Sequence, residues 1–317
     1  MRIATFRDES GGPRLGVVRD GELVDLLRAA TVLNAPEARE APALLTDMLT
    51  LIASGPRALD RIRELTRQAP DEAALPLSAA RLLAPIPRPA KNIFCVGRNY
   101  AEHATESFRA TGERAPDSPP ATPNFFTKAV TSVIGPFDSI PFDASISAEL
   151  DWEVELGVIL GGGGRRISRE NALNHVFGYT VINDVSARDL QHAPGAQWFY
   201  GKSLDGCCPM GPWIVTVDDI PDPSQLLLTL SVNGVMKQQD TAASMMFDPA
   251  ALIAYLSRAI SLEPGDIIAT GTPAGVGYAR DPKEFLRPGD VMHSSVSVIG
   301  SMRNLVEDVT PASDSNC

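Results

Sequence analysis

Cysteine is scarce in this sequence, and none of its spacings is a useful one. The 317 residues contain four cysteines, at Cys95, Cys207, Cys208 and Cys317. No two are separated by a pair of residues, and the adjacent Cys207 and Cys208 suit neither a zinc site nor a disulfide framework. A reducing cytoplasm is therefore the expected compartment. Cys95 lies in the apolar run from Ile93 to Val96 and is expected to behave as a small buried hydrophobe. Long apolar runs are missing as well: no stretch approaches the ~18 residues of a membrane span. Residues 1–8 lack the apolar run of a secretory signal, so none is expected. Positive charge is in short supply, with 28 Lys and Arg against 39 Asp and Glu and a net charge of −11. Long-range repulsion then disfavours a nucleic-acid backbone or an anionic membrane as partner.

Nucleotide-binding motifs are absent too. Gly201-Lys202-Ser203 looks like the end of a phosphate-binding loop, but the glycine needed five residues earlier falls on Ala196. Residues 271–277, Gly-Thr-Pro-Ala-Gly-Val-Gly, lack the glycine spacing of a dinucleotide site. No nucleotide is expected.

What is present describes a globular enzyme. Apolar residues make up 44% and charged residues 21%, enough for a large core. Residues 1–87 read as a small α+β module. It has strand-like runs at 2–6, 15–19 and 22–26 and helical patterns at 41–54 and 58–67. Prolines at 85, 87 and 89 make a stiff linker, and the domain boundary is placed there. Residues 88–317 carry many short strand-like runs between Gly/Pro turns. Helical patterns interrupt them near 99–109, 169–176 and 248–261. The expected class is α+β and β-rich, a barrel or roll with helices at its margins.

Two patterns carry chemistry. In residues 149–160 the side chains alternate between faces. Trp152, Val154, Leu156 and Val158 form an apolar row, while Glu149, Asp151, Glu153 and Glu155 form an acidic one. Such a row is found on solvated edge strands, but it also offers the hard oxygen donors that Mg²⁺, Mn²⁺ and Ca²⁺ prefer. Asp184 ends the apolar run 178–183, where a carboxylate needs a partner, and is the candidate third ligand. The second pattern is His103 with Glu106, which are i and i+3 on a helical turn after a buried strand. The pair fits a surface ion pair, and it also fits a histidine held ready to accept a proton. His175 and His293 are read as structural. His192, in the loop 191–197, is a further candidate for the site.

The run Val96-Gly97-Arg98-Asn99-Tyr100-Ala101-Glu102-His103 opens a series of segments that together resemble the fumarylacetoacetate hydrolase superfamily. The series continues through Pro123-Asn124-Phe125-Phe126-Thr127-Lys128, residues 151–157, residues 178–191 with Ser186-Ala187-Arg188-Asp189, Gly201-Lys202-Ser203-Leu204-Asp205, Val232-Asn233-Gly234 and residues 262–273. The resemblance is nearest to bacterial acylpyruvate hydrolases of aromatic catabolism and to 2-hydroxyhepta-2,4-diene-1,7-dioate isomerases.

It implies a mixed β-roll or barrel catalytic domain with a small N-terminal domain, acting as a homodimer. It also implies Mg²⁺, or Mn²⁺ or Ca²⁺, on Glu153, Glu155 and Asp184, with Asp151 a neighbour outside the ligand set. A His103–Glu106 dyad would sit on a mobile segment, with residues 107–122 belonging to the lid. Lys202 would stand beside the metal, and Arg98, Tyr100, Lys128, Arg188, Gln191 and Thr272 near the substrate. The late strand departs from the family pattern: Met292-His293-Ser294-Ser295-Val296-Ser297 replaces alternating acids.

The implied reaction is hydrolytic C–C cleavage of a 2,4-dioxo acid by water activated at His103. Two alternatives share the same site, namely decarboxylation of an oxaloacetate-type 2-oxo diacid and isomerisation of a 2-hydroxydienoate. A metal-stabilised protein without catalysis is the non-enzymatic alternative.

Overall fold

Two β-sheets frame the computed structural model, which describes every residue except 8–10, 196 and 312–317. Cys317 thus lies outside the described residues. The larger sheet has 12 strands. Its main path runs Ala74–Pro76, Glu22–Asp25, Pro13–Arg19, Arg2–Arg7, Cys208–Thr216, Val176–Asn183, Val154–Leu160, Ile267–Ala269, Ile93–Gly97 and Asn124–Lys128. A second sheet of five strands runs Val235–Thr241, Leu227–Val232, Val291–Val296, Gly300–Asp308 and Ile140–Phe142. The α+β, strand-rich class stands. The outermost strands of the larger sheet do not pair with each other among the described residues, so no closed barrel forms.

Strand Arg2–Arg7 pairs antiparallel with Cys208–Thr216. The N-terminal strands thus extend the main sheet across the proposed boundary at residue 87, which we retain only as a proposal about folding units.

The strand Val154–Leu160 is buried on both faces. Val154, Leu156, Val158 and Leu160 enter a core shared with Leu228, Leu230, Met292, Val296 and Met302 of the smaller sheet. Ile159 points the other way and, with Ile182 and Ile214, packs under the helices Met48–Ala53 and Pro56–Gln68. Each such side chain contributes about 1.5–3 kcal/mol when fully buried. Glu155 shares the face of Ile159, and Asp151, Glu153 and Glu155 of the acidic row are enclosed while Glu149 stays partly exposed.

The strand expected to run unbroken from residue 149 is interrupted. Leu150–Asp151 pairs instead with Ser186–Ala187. The Asp151 carboxylate takes the N–H of Trp152 at 2.8 Å and of Gly277 at 2.6 Å, which turns the chain aside. Pairing with the central strand Val176–Asn183 begins at Val154. The helical pattern at 41–54 is likewise split, because Asp47 accepts the Thr50 N–H at 2.7 Å and caps a new helix at Met48.

Gly271, just beyond Ile267–Ala269, has φ +93, and a Cβ there would stand 2.8 Å from Asn99 Cβ and 2.9 Å from the Val96 carbonyl oxygen. Gly271→Ala is expected to destabilise the fold by about 2–4 kcal/mol, through left-handed strain and the clash. Urea unfolding measures this, and an unchanged midpoint would contradict it.

Candidate active site

Two neighbouring strands bring three carboxylates together. The register that opposes Val154 to Asn183 places Glu153 beside Asp184, whose N–H donates to the Glu153 carbonyl at 2.8 Å. Glu153, Glu155 and Asp184 are all buried, and one oxygen from each lies within 4.8 Å of the others. Two like charges 4 Å apart repel by about 4 kcal/mol at an effective dielectric near 20, so a buried triad needs cations.

Some are supplied by the chain. Lys202 Nζ lies 2.7 Å from Glu153 Oε2 and 2.8 Å from Asp184 Oδ2. Lys128 Nζ lies 2.8 Å from Asp184 Oδ1 and donates to the carbonyls of Val185 and Lys202. Arg188 reaches Glu153 Oε1 through Nη2 at 2.6 Å and Asp151 Oδ2 through Nε at 2.9 Å. Burial alone would raise the Glu153 carboxyl, but the Lys202 and Arg188 charges hold it down at about 2.

Glu155 is treated differently. Its Oε2 accepts the Gly271 N–H at 2.8 Å, and it makes no ion pair among the described residues. Burial first, then the charges of Asp184 and Glu153, push its carboxyl well above the usual range. Four carboxylates, counting Asp151, thus face three cations, and the uncompensated one sits in the triad. Hard oxygen donors that lack one positive partner are the donor set a divalent cation fits.

The dyad stands over this layer. His103 Nδ1 is 3.0 Å from Glu106 Oε1. Both Glu106 oxygens accept the Gly275 N–H at 3.0 Å, and Oε1 also faces the Val276 N–H at 3.5 Å. A carboxylate so occupied by donors is an acceptor, which assigns the proton to His103 Nδ1 and leaves Nε2 as a base. The helix Ala101–Thr111 that carries the dyad ends at Gly112 in the left-handed conformation. Ser107 ties it down by accepting from Tyr278 Oη at 2.6 Å and from Arg98 Nε at 3.0 Å.

Most residues singled out in the sequence meet at one small cavity. His103, Glu153, Arg188, Gln191, Lys202, Thr272 and Arg98 line it. Its free space is about 20 Å³, close to one water. Glu106 stands behind His103. Two residues expected near the substrate do not line the cavity. Lys128 is fully buried and spent on Asp184 and two carbonyls. Tyr100 is also buried, its main chain pairs with Met245, and its hydroxyl has no hydrogen-bond partner among the described residues. Burial and the nearby Glu155 charge push that phenol upward.

Thr272 acts through position: its hydroxyl donates to the Val154 carbonyl at 2.9 Å and accepts from Gln238 at 2.7 Å. The Ser294 hydroxyl of the late strand meets the Asn183 amide at 3.3 Å and does not line the cavity.

Tyr278 and Trp198 also line the cavity and were not picked out by sequence. Tyr278 lies in the 3-10 turn Gly277–Ala279, too short to show a period, and its N–H donates to Asp151 at 3.1 Å. Trp198, next to the Gly-Lys-Ser segment, packs its ring edge against Gly97. The importance of Asp151 to Arg188 was also hidden, because the partners are 37 residues apart. Residues 115–120, Phe108 and Phe247 enclose a second, more apolar space of about 400 Å³ on the outer side of the dyad helix.

No helix among the described residues is long and apolar enough to cross a membrane. The profile of the family described as "Fumarylacetoacetate (FAA) hydrolase C-terminal" matches residues 92–307. The chain is similar to the oxaloacetate tautomerase YisK of Bacillus subtilis, with 40% identity over 296 residues, covering 92% of this chain and 94% of that protein. It is also similar to the human mitochondrial oxaloacetate tautomerase FAHD2A, at 39% identity over 311 residues, covering 96% and 91%. Among solved structures, a fumarylacetoacetate hydrolase from Exiguobacterium antarcticum superposes with TM-score 0.79 at 38% identity, covering 97% of this chain and 99% of that one. Maleylpyruvate hydrolase from Sphingobium sp. SYK-6, solved with manganese(II) and pyruvate, gives TM-score 0.75 at 30% identity, with 97% and 99% covered. The match extends over most of the chain and spans the triad, the dyad and Lys202: the chain belongs to the fumarylacetoacetate hydrolase family.

Proposed function

We propose that this protein is a divalent-metal-dependent enzyme that transfers protons on 2-oxo diacids, interconverting the enol and keto forms of oxaloacetate. The observation that carries this reading is the near full-length similarity to oxaloacetate tautomerases, at 40% and 39% identity. It supports the isomerase-type and oxaloacetate-type alternatives raised by the sequence over C–C hydrolysis of a 2,4-dioxo acid.

The site geometry supports the same reading. Glu153, Glu155 and Asp184 would hold Mg²⁺ or Mn²⁺, the latter being the ion bound by the Sphingobium relative. A bound ion would supply a Lewis acid for the 2-oxo oxygen. His103 Nε2 accepts a proton from C3, and Glu106 stabilises the resulting imidazolium through Nδ1–H. The His103 imidazolium returns this proton through Nε2 to the C2 oxygen to complete the enol, and the reverse path restores the ketone. Lys202, fixed between Glu153 and Asp184, keeps positive charge beside the developing negative oxygen. No attacking water is needed for this proton transfer. A homodimer and a cytoplasmic location belong to this proposal, and sedimentation and cell fractionation test them.

The test starts from the enol form of oxaloacetate and follows its ultraviolet absorbance with Mg²⁺ or Mn²⁺. The expected result is enol loss above the spontaneous rate, abolished by EDTA, with no change in product mass. Pyruvate released in step with enol loss would make the protein a decarboxylase. Inactivity on oxaloacetate together with cleavage of acetylpyruvate would make it a hydrolase.

A further inference from the structure

The cavity has a buried inner end and an exposed rim, and the positive groups at the two ends differ in what they have left to offer. At the inner end Lys202 is spent on Glu153 and Asp184. Arg188 is spent as well: Nε binds Asp151, Nη2 binds Glu153 and Nη1 binds Gln191 at 2.9 Å.

Arg98, at the rim, is not spent. Its Nε donates to Ser107 and its Nη1 to Glu113 at 2.9 Å, while Nη2 has no acceptor among the described residues. The guanidinium is held in place, with its carbon 4.2 Å from the centre of the Phe108 ring and 5.9 Å from that of Trp198. Its backbone is in the left-handed region, φ 55, a conformation that costs a non-glycine residue energy and accompanies function more often than chance.

His192 stands beside it at the rim. Its ring lies 5.5 Å from that of Tyr278 and makes no hydrogen bond among the described residues. Partial burial and the charges of Arg188 and Arg98, with a smaller contribution from Lys202, push this imidazole downward, against the opposing pull of Glu113. The rim therefore carries two unspent hydrogen-bonding groups, Arg98 Nη2 and the His192 ring. Glu113 is half-exposed and already sits on Arg98, as an internal carboxylate that an incoming one would meet or displace.

We propose that Arg98 and His192 form a subsite for the second carboxylate of the substrate, so that the protein selects 2-oxo diacids over 2-oxo monoacids. This rests on the functional reading above. The 2-oxo carboxylate end faces the triad, and the far carboxylate meets Arg98 Nη2 and the His192 ring. A monoacid such as pyruvate has nothing to place there. Arg98 and His192 are specificity-determining residues in this account and take no part in proton transfer.

Calorimetric binding of oxaloacetate and pyruvate to the Mn²⁺-loaded protein tests this without relying on turnover. The unsubstituted protein is expected to bind oxaloacetate more tightly. Arg98→Met should weaken oxaloacetate by about 10–100-fold, the range for a hydrogen bond between charged groups, and pyruvate by no more than about threefold. His192→Leu should weaken oxaloacetate by about 5–10-fold, and His192→Asn, which keeps a donor, should restore most of it. Equal weakening of both acids, or of neither, would overturn the proposal, as would equal affinities in the unsubstituted protein. Melting curves identify a variant that fails to fold, and Arg98→Lys then serves in its place, with partial loss confined to oxaloacetate expected. If enol turnover is absent but diacid preference is present and sensitive to Arg98, the functional reading fails and the subsite stands.

Discussion

Glu155→Gln is expected to abolish metal-dependent behaviour while leaving the metal-free protein at least as stable as before. The two effects have separate causes. Glu155 is buried, lacks an ion pair among the described residues, and lies against two other carboxylates. Replacing its charge with an amide relieves repulsion, and the amide oxygen can still accept the Gly271 N–H. Removing the charge also removes a ligand. Outer partners of metal ligands already cost about 10–100-fold in affinity when lost, so loss of a ligand should cost at least about 100-fold. An ion at 100 times its Kd stabilises a protein by about 2.7 kcal/mol. Melting with and without Mn²⁺ should therefore show an upward shift in the unsubstituted protein and none in the variant. A variant that keeps the shift would show that Glu155 is not a ligand.

His103→Ala is expected to lower kcat/KM for enol oxaloacetate by about 10²–10⁴-fold, the usual contribution of a positioned acid–base group. Metal affinity and melting temperature should stay close to those of the unsubstituted protein. The reason lies in Glu106, whose oxygens keep the Gly275 and Val276 N–H groups after the imidazole is gone. No buried charge is orphaned, so the fold has little cause to change. Steady-state kinetics with Mg²⁺, beside a Mn²⁺ titration, measure both effects. Full activity would remove His103 from the reaction, and loss of metal binding would recast it as part of the ion's support.

Why some of this could be read from sequence, and some could not, follows from the range of each interaction. The period-two row Trp152, Val154, Leu156 and Val158 is local, and its apolar face is buried in the core as the pattern requires. Glu153, Glu155 and Asp184 were legible because acids in apolar strands violate the ordinary rule of burial and so call for a partner. His103 and Glu106 were legible because one helical turn joins them.

The break at Trp152–Glu153 was not legible, since it depends on Asp151 capturing N–H groups from residues 277 and 278. The resemblance placed Lys128 near the substrate, and its pairing with Asp184 from behind depends on a segment far off in sequence, where Val185 lies 57 residues away. Tyr278 and Trp198 gave no signal, because the short helical turns Gly277–Ala279 and Trp198–Lys202 reach the cavity through tertiary packing that leaves no period in the chain. The continuity of the N-terminal strands with the main sheet was hidden in the same way, in the pairing of Ile3 with Ile214.

The claim on which the rest depends is that Glu153, Glu155 and Asp184 converge on one divalent ion. Diffraction from crystals of the protein grown with Mn²⁺, recorded with anomalous scattering at the manganese edge, tests it most directly. The account predicts a single strong peak bounded by the three carboxylates. A peak elsewhere, or none at saturating Mn²⁺, would contradict it.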